Sequence, residues 1–277
     1  DGGVEWFFGE VAQALALGHA VKPVLIGPVT FLWLAKTHVA GFDRLTLLPA
    51  LTEAYQRLLQ RLAAMGVEWV QIDEPALCLD LEGAWLDAYD DAYESLGRQG
   101  VKLLLATYFD SVDEVARIAR LPVQGFHIDL VRAPQQLAAW REALPPNAVL
   151  SAGIIDGRNI WRTDLRRALA TLRPLHEALG NRLWIAPSCS LLHVPVSLDG
   201  EKKLDAAVKP WLAFAAEKLN ELQALARGLN EGEAEIAAEL QASDEAQASR
   251  CQSKRVVNGL VRKRVACITE AMGERRS

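Results

Sequence analysis

The sequence lacks the features that mark a membrane protein or a disulfide-rich secreted protein. It contains no stretch of about 18 uninterrupted apolar residues, the length that a membrane-spanning helix requires. Its four cysteines are scattered over 277 residues without a Cys-x-x-Cys pair, which favours a reducing compartment and predicts a cytoplasmic protein. The net charge of −5 argues against a general nucleic-acid binder. With 19 Gly and 12 Pro the composition is ordinary, which excludes collagen-like and low-complexity chains.

What the sequence does contain is an alternation of short apolar runs with segments of helical periodicity. The runs cover residues 24–30, 67–73, 103–108, 125–130, 149–155 and 183–188. Runs that are apolar almost throughout are typical of strands covered on both faces, as in a parallel sheet. The alternation predicts an α/β protein, either a (β/α) barrel or a doubly wound sheet. No Gly-x-Gly-x-x-Gly follows the first run, so a dinucleotide-binding fold has no support.

Three of the helical segments carry clear boundary signals. A stripe of leucines predicts a helix over residues 45–65, which Gly66 ends as a left-handed cap. Residues 164–179 read as a second helix, and Pro174 inside it is expected to kink or split it. Residues 205–228 read as a third, long and amphipathic helix.

Polar residues follow the carboxyl ends of the predicted strands, where a barrel enzyme carries its active site. They occur at residues 27–30, 73–75, 129, 156–159 and 188–190. A closed barrel of this type has about eight strands, and here a helix at residues 4–17 has no strand before it. Residues 1–228 are therefore predicted to form a (β/α)8 TIM-like barrel with its first two strands missing. The start at Asp1-Gly2-Gly3, without Met or signal peptide, reads as a cut, and residues 229–277 are expected to form a helical extension leading toward an interdomain linker.

Five segments, in order along the chain, resemble cobalamin-independent methionine synthase. They are residues 22–34 (KPVLIGPVTFLWL), 68–77 (EWVQIDEPAL), 125–131 (GFHIDLV), 151–162 (SAGIIDGRNIWR) and 184–193 (WIAPSCSLLH). The resemblance implies methyl transfer from 5-methyltetrahydropteroyltri-L-glutamate to L-homocysteine, giving methionine, without cobalamin. It implies two similar barrels in one polypeptide, with a zinc ion in the C-terminal barrel that binds the homocysteine sulfur. The N-terminal barrel would be a degenerate duplicate that supports the catalytic barrel and the folate polyglutamate.

The resemblance also implies which of the two barrels this chain is. The zinc barrel's His-x-Cys pair matches Leu105 and Thr107 here, its Glu ligand matches Asp129, and its last Cys ligand matches Cys189. Leucine cannot ligate zinc and a threonine hydroxyl binds it poorly. The chain therefore resembles the N-terminal barrel, with Asp129 and Cys189 as vestigial positions, no bound metal and no catalytic residue. Alone, it is predicted to be inactive.

Three side chains remain as candidates for substrate binding, each with a structural alternative. Asp73 and Glu74 end a buried strand, where they would bind an amino group or instead accept backbone hydrogen bonds. Arg158 would hold carboxylates of a polyglutamate tail or instead pair with surface acids. His127 alternates with Asp129 on one strand face, so a hydrogen bond between the two is expected.

Two other functions stay open at this point. One is a self-contained enzyme of the same superfamily with its own strand-end site, for which a zinc bound by Cys189, Asp129 and His193 would be the sign. The other is a non-enzymatic scaffold, a folate-binding half that docks onto a catalytic barrel.

Overall fold

The computed structural model describes residues 4–269 and Met272, and its central feature is a six-stranded parallel sheet. The strands are β1 (Val24–Ile26), β2 (Trp69–Asp73), β3 (Lys102–Ala106), β4 (Gly125–Asp129), β5 (Val149–Ile155) and β6 (Leu183–Pro187). They lie side by side in the order of the sequence. The predicted parallel α/β sheet is confirmed.

Helices alternate with these strands. They are α1 (Glu5–Ala16), α2 (Pro28–Leu34), α3 (Leu48–Ala64), α4 (Gly83–Leu96), α5 (Val115–Ile118), α6 (Leu137–Ala143), α7 (Leu165–Leu179), α8 (Ala215–Asn230), α9 (Ala237–Gln252) and α10 (Gly259–Ala266). Each of the six strands is followed by at least one of them, which is the repeat of a (β/α) barrel. Within the described part of the chain, no helix combines the length and the apolar character needed to cross a bilayer.

The outer face of the sheet is apolar and sealed. Its side chains are at most 1% exposed over the four central strands: Val70, Ile72, Leu103, Leu105, Phe126, Ile128, Leu150 and Ala152. The strand register places these residues on one face, because Ile72 lies opposite Leu105, Leu105 opposite Phe126 and Phe126 opposite Leu150. This face is the main core of the protein.

The inner face carries the polar side chains, and the sheet curls around it. In register on this face lie Gln71 and Asp73 of β2 and His127 of β4. The rings of Trp69 on β2 and Trp184 on β6 have centroids 4.7 Å apart, although three strands separate them. In a flat sheet these strands would lie about 19 Å apart. The sheet is therefore strongly curved, as in a barrel wall.

Two predicted strands end earlier than expected. Residues 27–30 do not continue β1, because α2 begins at Pro28, a residue favoured in the first helical turn. β3 ends at Ala106, and the chain then turns through Phe109, which has a φ of +85°. Both departures bring backbone N–H groups toward buried carboxylates of neighbouring strands.

Two predicted helices also differ. The helix over residues 165–179 runs on through Pro174 as one element, so of the expected kink or split the split is wrong and the kink stays a prediction. The helix predicted from residue 205 begins at Ala215, because residues 205–214 form turns and a short 3-10 segment. Asp205 accepts the N–H of Ala207 at 2.8 Å, a local bond that competes with helix formation.

The chain divides into two compact units. The first comprises residues up to Arg158 together with Pro174–Leu191, and it contains the whole sheet. The second comprises Asn159–Arg173 and the chain from Leu192 onward, with a small core around Leu198, Leu212 and Phe214. The predicted boundary after residue 228 stays a prediction. The predicted cut at Asp1-Gly2-Gly3 and the last residues of the predicted extension lie outside the described residues.

Candidate functional site at the strand ends

Glu74, directly after β2, is fully buried and holds the start of α2. Its carboxylate accepts the N–H of Thr30 at 2.7 Å and that of Val29 at 3.3 Å. The Tyr93 hydroxyl donates to the same carboxylate at 3.1 Å. The positive end of a helix favours such an anion. The structural alternative for Glu74 therefore has direct geometric support, since its oxygens are already engaged by the protein.

Burial also sets the charge state of Glu74, and the close approach of its carboxylate requires glycine at position 27. Burial raises the pKa of Glu74 to about 7, while hydrogen bonds from Thr30, Tyr93 and Val29 oppose the rise. A Cβ on Gly27 would lie 2.0 Å from Glu74 Cδ, far inside van der Waals contact. Gly27 is thus the residue that lets the carboxylate reach the helix.

Asp73, the last residue of β2, lies on the opposite, inner face and is half-buried. Its Oδ1 accepts from the Gln71 amide at 2.8 Å, and its Oδ2 accepts from the Tyr108 hydroxyl at 3.1 Å. The Lys22 ammonium donates to the Gln71 side chain. Burial raises the pKa of Asp73, opposed by Gln71, Tyr108 and the Lys22 charge. The result is a carboxylate at the mouth of the curved sheet with donors on both oxygens.

Arg158 follows β5 and is exposed. Its guanidinium lies 4.6 Å from the centroid of the Phe109 ring, a cation–π arrangement. The Phe109 and Tyr108 rings are themselves in edge contact, with centroids 4.7 Å apart. Because Tyr108 bonds Asp73, the structure links Asp73 to Arg158 through two consecutive aromatic residues.

Asp129, at the end of β4, is 1% exposed and makes three backbone hydrogen bonds. Its Oδ2 accepts the N–H of Phe109 at 3.0 Å, while its Oδ1 accepts those of Val131 and Arg132 at 2.9 and 2.8 Å. Burial raises the pKa of Asp129, and these three bonds oppose the rise. The carboxylate thus ties together the loops that follow β3 and β4.

Cys189 lies just beyond β6 and is buried. Burial first, and then the nearby carboxylates of Asp129 and Asp156, raise the pKa of its thiol to about 11. A Cβ on Gly157 would lie 2.9 Å from Cys189 Sγ, so glycine there leaves room for the sulfur. Cys189 is therefore a protonated thiol near the strand ends.

The expected bond between His127 and Asp129 is wrong. The two residues share the inner face, but His127 Nδ1 lies 2.9 Å from Ser151 Oγ and its Nε2 lies 3.3 Å from the Ser188 carbonyl oxygen. Burial lowers the pKa of His127 to about 4, so the ring is neutral at pH 7. Alternation predicts the shared face correctly, whereas the partner comes from β5, a distant part of the sequence.

Four further residues of this site escaped the sequence analysis: Lys22, Gln71, Tyr108 and Phe109. Gln71 was detectable, because it alternates with Asp73 and interrupts an apolar run. Nothing in the sequence marks Phe109, since a positive φ at a phenylalanine has no compositional signal.

Comparison with known proteins bears on this site and on the fold. Residues 3–180 match the model of the "Cobalamin-independent synthase, N-terminal domain" family. The chain belongs to this family. It is 63% identical over its whole length to a protein of Paraburkholderia xenovorans named 5-methyltetrahydropteroyltriglutamate–homocysteine methyltransferase, and 58% identical over 97% of its length to the Ralstonia pickettii protein of that name. It spans 36% and 35% of the lengths of these two relatives.

Solved structures support the fold of the family member. A B12-independent methionine synthase from Shewanella sp. W3-18-1 superimposes with a TM-score of 0.54 at 18% identity, covering 85% of this chain and 68% of the other. A methyltransferase from Methanosarcina mazei gives 0.51 at 14% identity, covering 76% of this chain and 60% of that one. At such identities the likeness establishes the architecture alone, and it agrees with the curved parallel sheet.

Proposed function

We propose that this chain is the non-metal half of an enzyme that transfers a methyl group from 5-methyltetrahydropteroyltriglutamate to homocysteine. The proposal rests on the names of relatives up to 63% identical, of whose length the chain spans 36%. The remaining length of those relatives would supply the catalytic barrel, in the same polypeptide, and the cytoplasm would be its site of action. The family is cobalamin-independent.

The zinc that the resemblance implies for the intact enzyme does not fit the donors of this chain. Asp129 has its oxygens occupied by three backbone N–H groups, and Cys189 is a thiol of raised pKa. Leu105 lies on the sealed outer face, and the Thr107 hydroxyl donates to the His127 carbonyl at 3.1 Å. Among the residues that the structure describes, no three His, Cys, Asp or Glu side chains are grouped to hold a metal ion. No step of the reaction is therefore assigned to a metal in this half.

The observation that carries a binding role is the linkage of Asp73 to Arg158 at the strand ends. Arg158 is exposed and lies over the Phe109 ring, and a guanidinium is the side chain best suited to a carboxylate of a folate polyglutamate tail. Asp73 keeps its carboxylate on the inner face, where it would accept a hydrogen bond from an amino group of a substrate such as homocysteine. Glu74 supports the site from behind, because its oxygens already hold α2.

A chimera tests the proposed function of the chain. The 277 residues replace the matching segment of the P. xenovorans relative, and methionine formation is measured for the chimera and for the isolated chain. The chimera is expected to form methionine, and the isolated chain is expected to form none. A folded chimera without activity would refute the assignment, and so would turnover by the isolated chain.

The role of Arg158 is tested in the same chimera with the variant Arg158→Ala. The KM for the triglutamate substrate is expected to rise about fivefold, and the KM for the monoglutamate is expected to change less, because the lost contact is to the tail. The matched control is Arg98→Ala, since Arg98 is exposed, lies just beyond the end of α4 and pairs with Glu94 of that helix. Equal effects of the two variants would remove Arg158 from the site.

A further inference from the structure

The turn after β3 contains a strained residue. Phe109 has a φ of +85°, and within the described residues it is the one non-glycine residue with a positive φ. This region disfavours residues with a Cβ, and such strain persists where surrounding contacts enforce it.

The contact that enforces it comes from the neighbouring strand. The Phe109 N–H donates to Asp129 Oδ2 at 3.0 Å, while Asp129 Oδ1 accepts from Val131 and Arg132. A carboxylate offers about four acceptor positions, of which three are occupied here by backbone donors. Since Asp129 is 1% exposed, the bonds are shielded from water, which makes their loss more costly.

The turn after β3 also contacts Asp73 and Arg158, the two side chains of the proposed binding site. Tyr108 donates its hydroxyl to Asp73 at 3.1 Å, and the Phe109 ring lies 4.6 Å below the Arg158 guanidinium. If Phe109 relaxed to a negative φ, the directions of both aromatic side chains would change.

We propose that Asp129 is a positioning residue of the strand-end site, whose carboxylate holds Phe109 in the left-handed conformation and so orients Asp73 and Arg158. The proposal rests on the proposed function for the identity of the site. It gives a present role to a position that the resemblance matches to a metal ligand: the carboxylate binds backbone N–H groups.

The first test measures the turn itself, in the full 277-residue chain, by hydrogen exchange of the Phe109 amide. In Asp129→Asn one oxygen remains for Val131 and Arg132, while the amide NH₂ faces the Phe109 N–H, donor against donor. The Phe109 amide is expected to exchange about tenfold faster. The matched control Asp110→Asn removes the same charge from an exposed position that directly follows Phe109 and is expected to leave the Phe109 amide protected.

The second test uses glycine, which adopts a positive φ without strain. In the wild-type background Asp129 holds Phe109 in the strained conformation, so Phe109→Gly relieves that strain and is expected to raise the urea midpoint. In the Asp129→Asn background the turn is free to relax to a negative φ, so the same substitution has less strain to relieve and is expected to raise the midpoint less. Equal effects of Phe109→Gly in the two backgrounds would overturn the anchoring role.

The third test uses the chimera and separates this proposal from the proposed function. Asp129→Asn is expected to raise the triglutamate KM about as much as Arg158→Ala does, with kcat unchanged. If the Phe109 amide is released but Arg158→Ala retains the wild-type KM, the binding role of Arg158 within the proposed function fails. If Arg158→Ala raises the KM and Asp129→Asn does not, the positioning role fails. A Phe109 amide that stays protected in Asp129→Asn overturns the proposal outright.

Discussion

The two faces of the curved sheet are built by the same strands and have opposite character. On the outer face, residues such as Ile72, Leu105 and Phe126 are almost completely buried and contribute apolar area to the core. On the inner face, Gln71 and Asp73 are half-buried and hydrogen-bonded, while Ile26 at the β1 edge is 40% exposed. The continuous apolar core therefore lies on the outer face, whereas the polar groups that could bind a ligand lie on the inner face and at the strand ends.

The largest expected effect is a loss of stability caused by a substitution on the outer face. Phe126→Ala removes a buried ring that packs on Trp140 at a centroid distance of 5.0 Å, and we expect a loss of about 3–5 kcal/mol in the free energy of unfolding. The inner-face control Gln71→Ala should cost about 1 kcal/mol, because the bonds it loses are partly exposed to water. Urea unfolding measures both, and equal costs would contradict the contrast between the faces.

The next effect concerns the close approach behind the strand ends. Gly27→Ala places a Cβ 2.0 Å from the Glu74 carboxyl carbon, so either the start of α2 or the buried Glu74 side chain must shift, at a cost of about 2–3 kcal/mol. Gly9 is the matched control, because it lies inside α1 and a Cβ added there would have no atom within 4 Å. Gly9→Ala should stabilise by about 0.5–1 kcal/mol. Thermal unfolding of both variants tests the difference in sign.

The smallest effect is the pH dependence that Glu74 contributes. Its pKa is raised to about 7 from 4.5, so the native state binds the proton more tightly than the unfolded state does. Stability from this group is therefore lost as pH rises from about 4.5 to 7, with a slope of up to about 1.4 kcal/mol per unit. His127, whose pKa is lowered to about 4, acts in the opposite direction and masks the slope in the wild type.

The variant Glu74→Gln isolates that contribution. We expect the difference in unfolding free energy between wild type and Glu74→Gln to shift against the wild type as pH rises from about 5 to 7, because only the wild type loses the bound proton. Guanidinium unfolding at several pH values measures it. A difference that is constant with pH would mean that Glu74 has an ordinary pKa.

The strands were predictable because their apolar runs are long and bounded by glycine, proline or charge. The ends of the strands were less predictable. Residues 27–30 read as strand from their apolar character, yet Glu74 draws the N–H groups of Val29 and Thr30 into the first turn of α2. These two hydrogen bonds join residues that are 45 and 44 positions apart, and the periodicity of a sequence carries no information about contacts at such separations.

The candidate site shows the same limit. The sequence shows Asp73, Glu74, Asp129 and Arg158 because they lie at or just after the ends of strands, where polar residues stand out from apolar runs. Their roles depend on which donors meet them: backbone N–H groups for Glu74 and Asp129, and the Tyr108 hydroxyl for Asp73. Backbone donors carry no sequence signature, so residue types alone could not decide between a substrate-binding role and a structural role for these side chains.

The most direct test of the account is a zinc competition titration of the 277-residue chain against a chromophoric chelator at about pH 7. The strand-end carboxylates of this half hold backbone N–H groups or, as proposed for Asp73, bind substrate, so no stoichiometric zinc uptake is expected. A one-to-one zinc complex that is lost in both Asp129→Asn and Cys189→Ser would contradict this expectation.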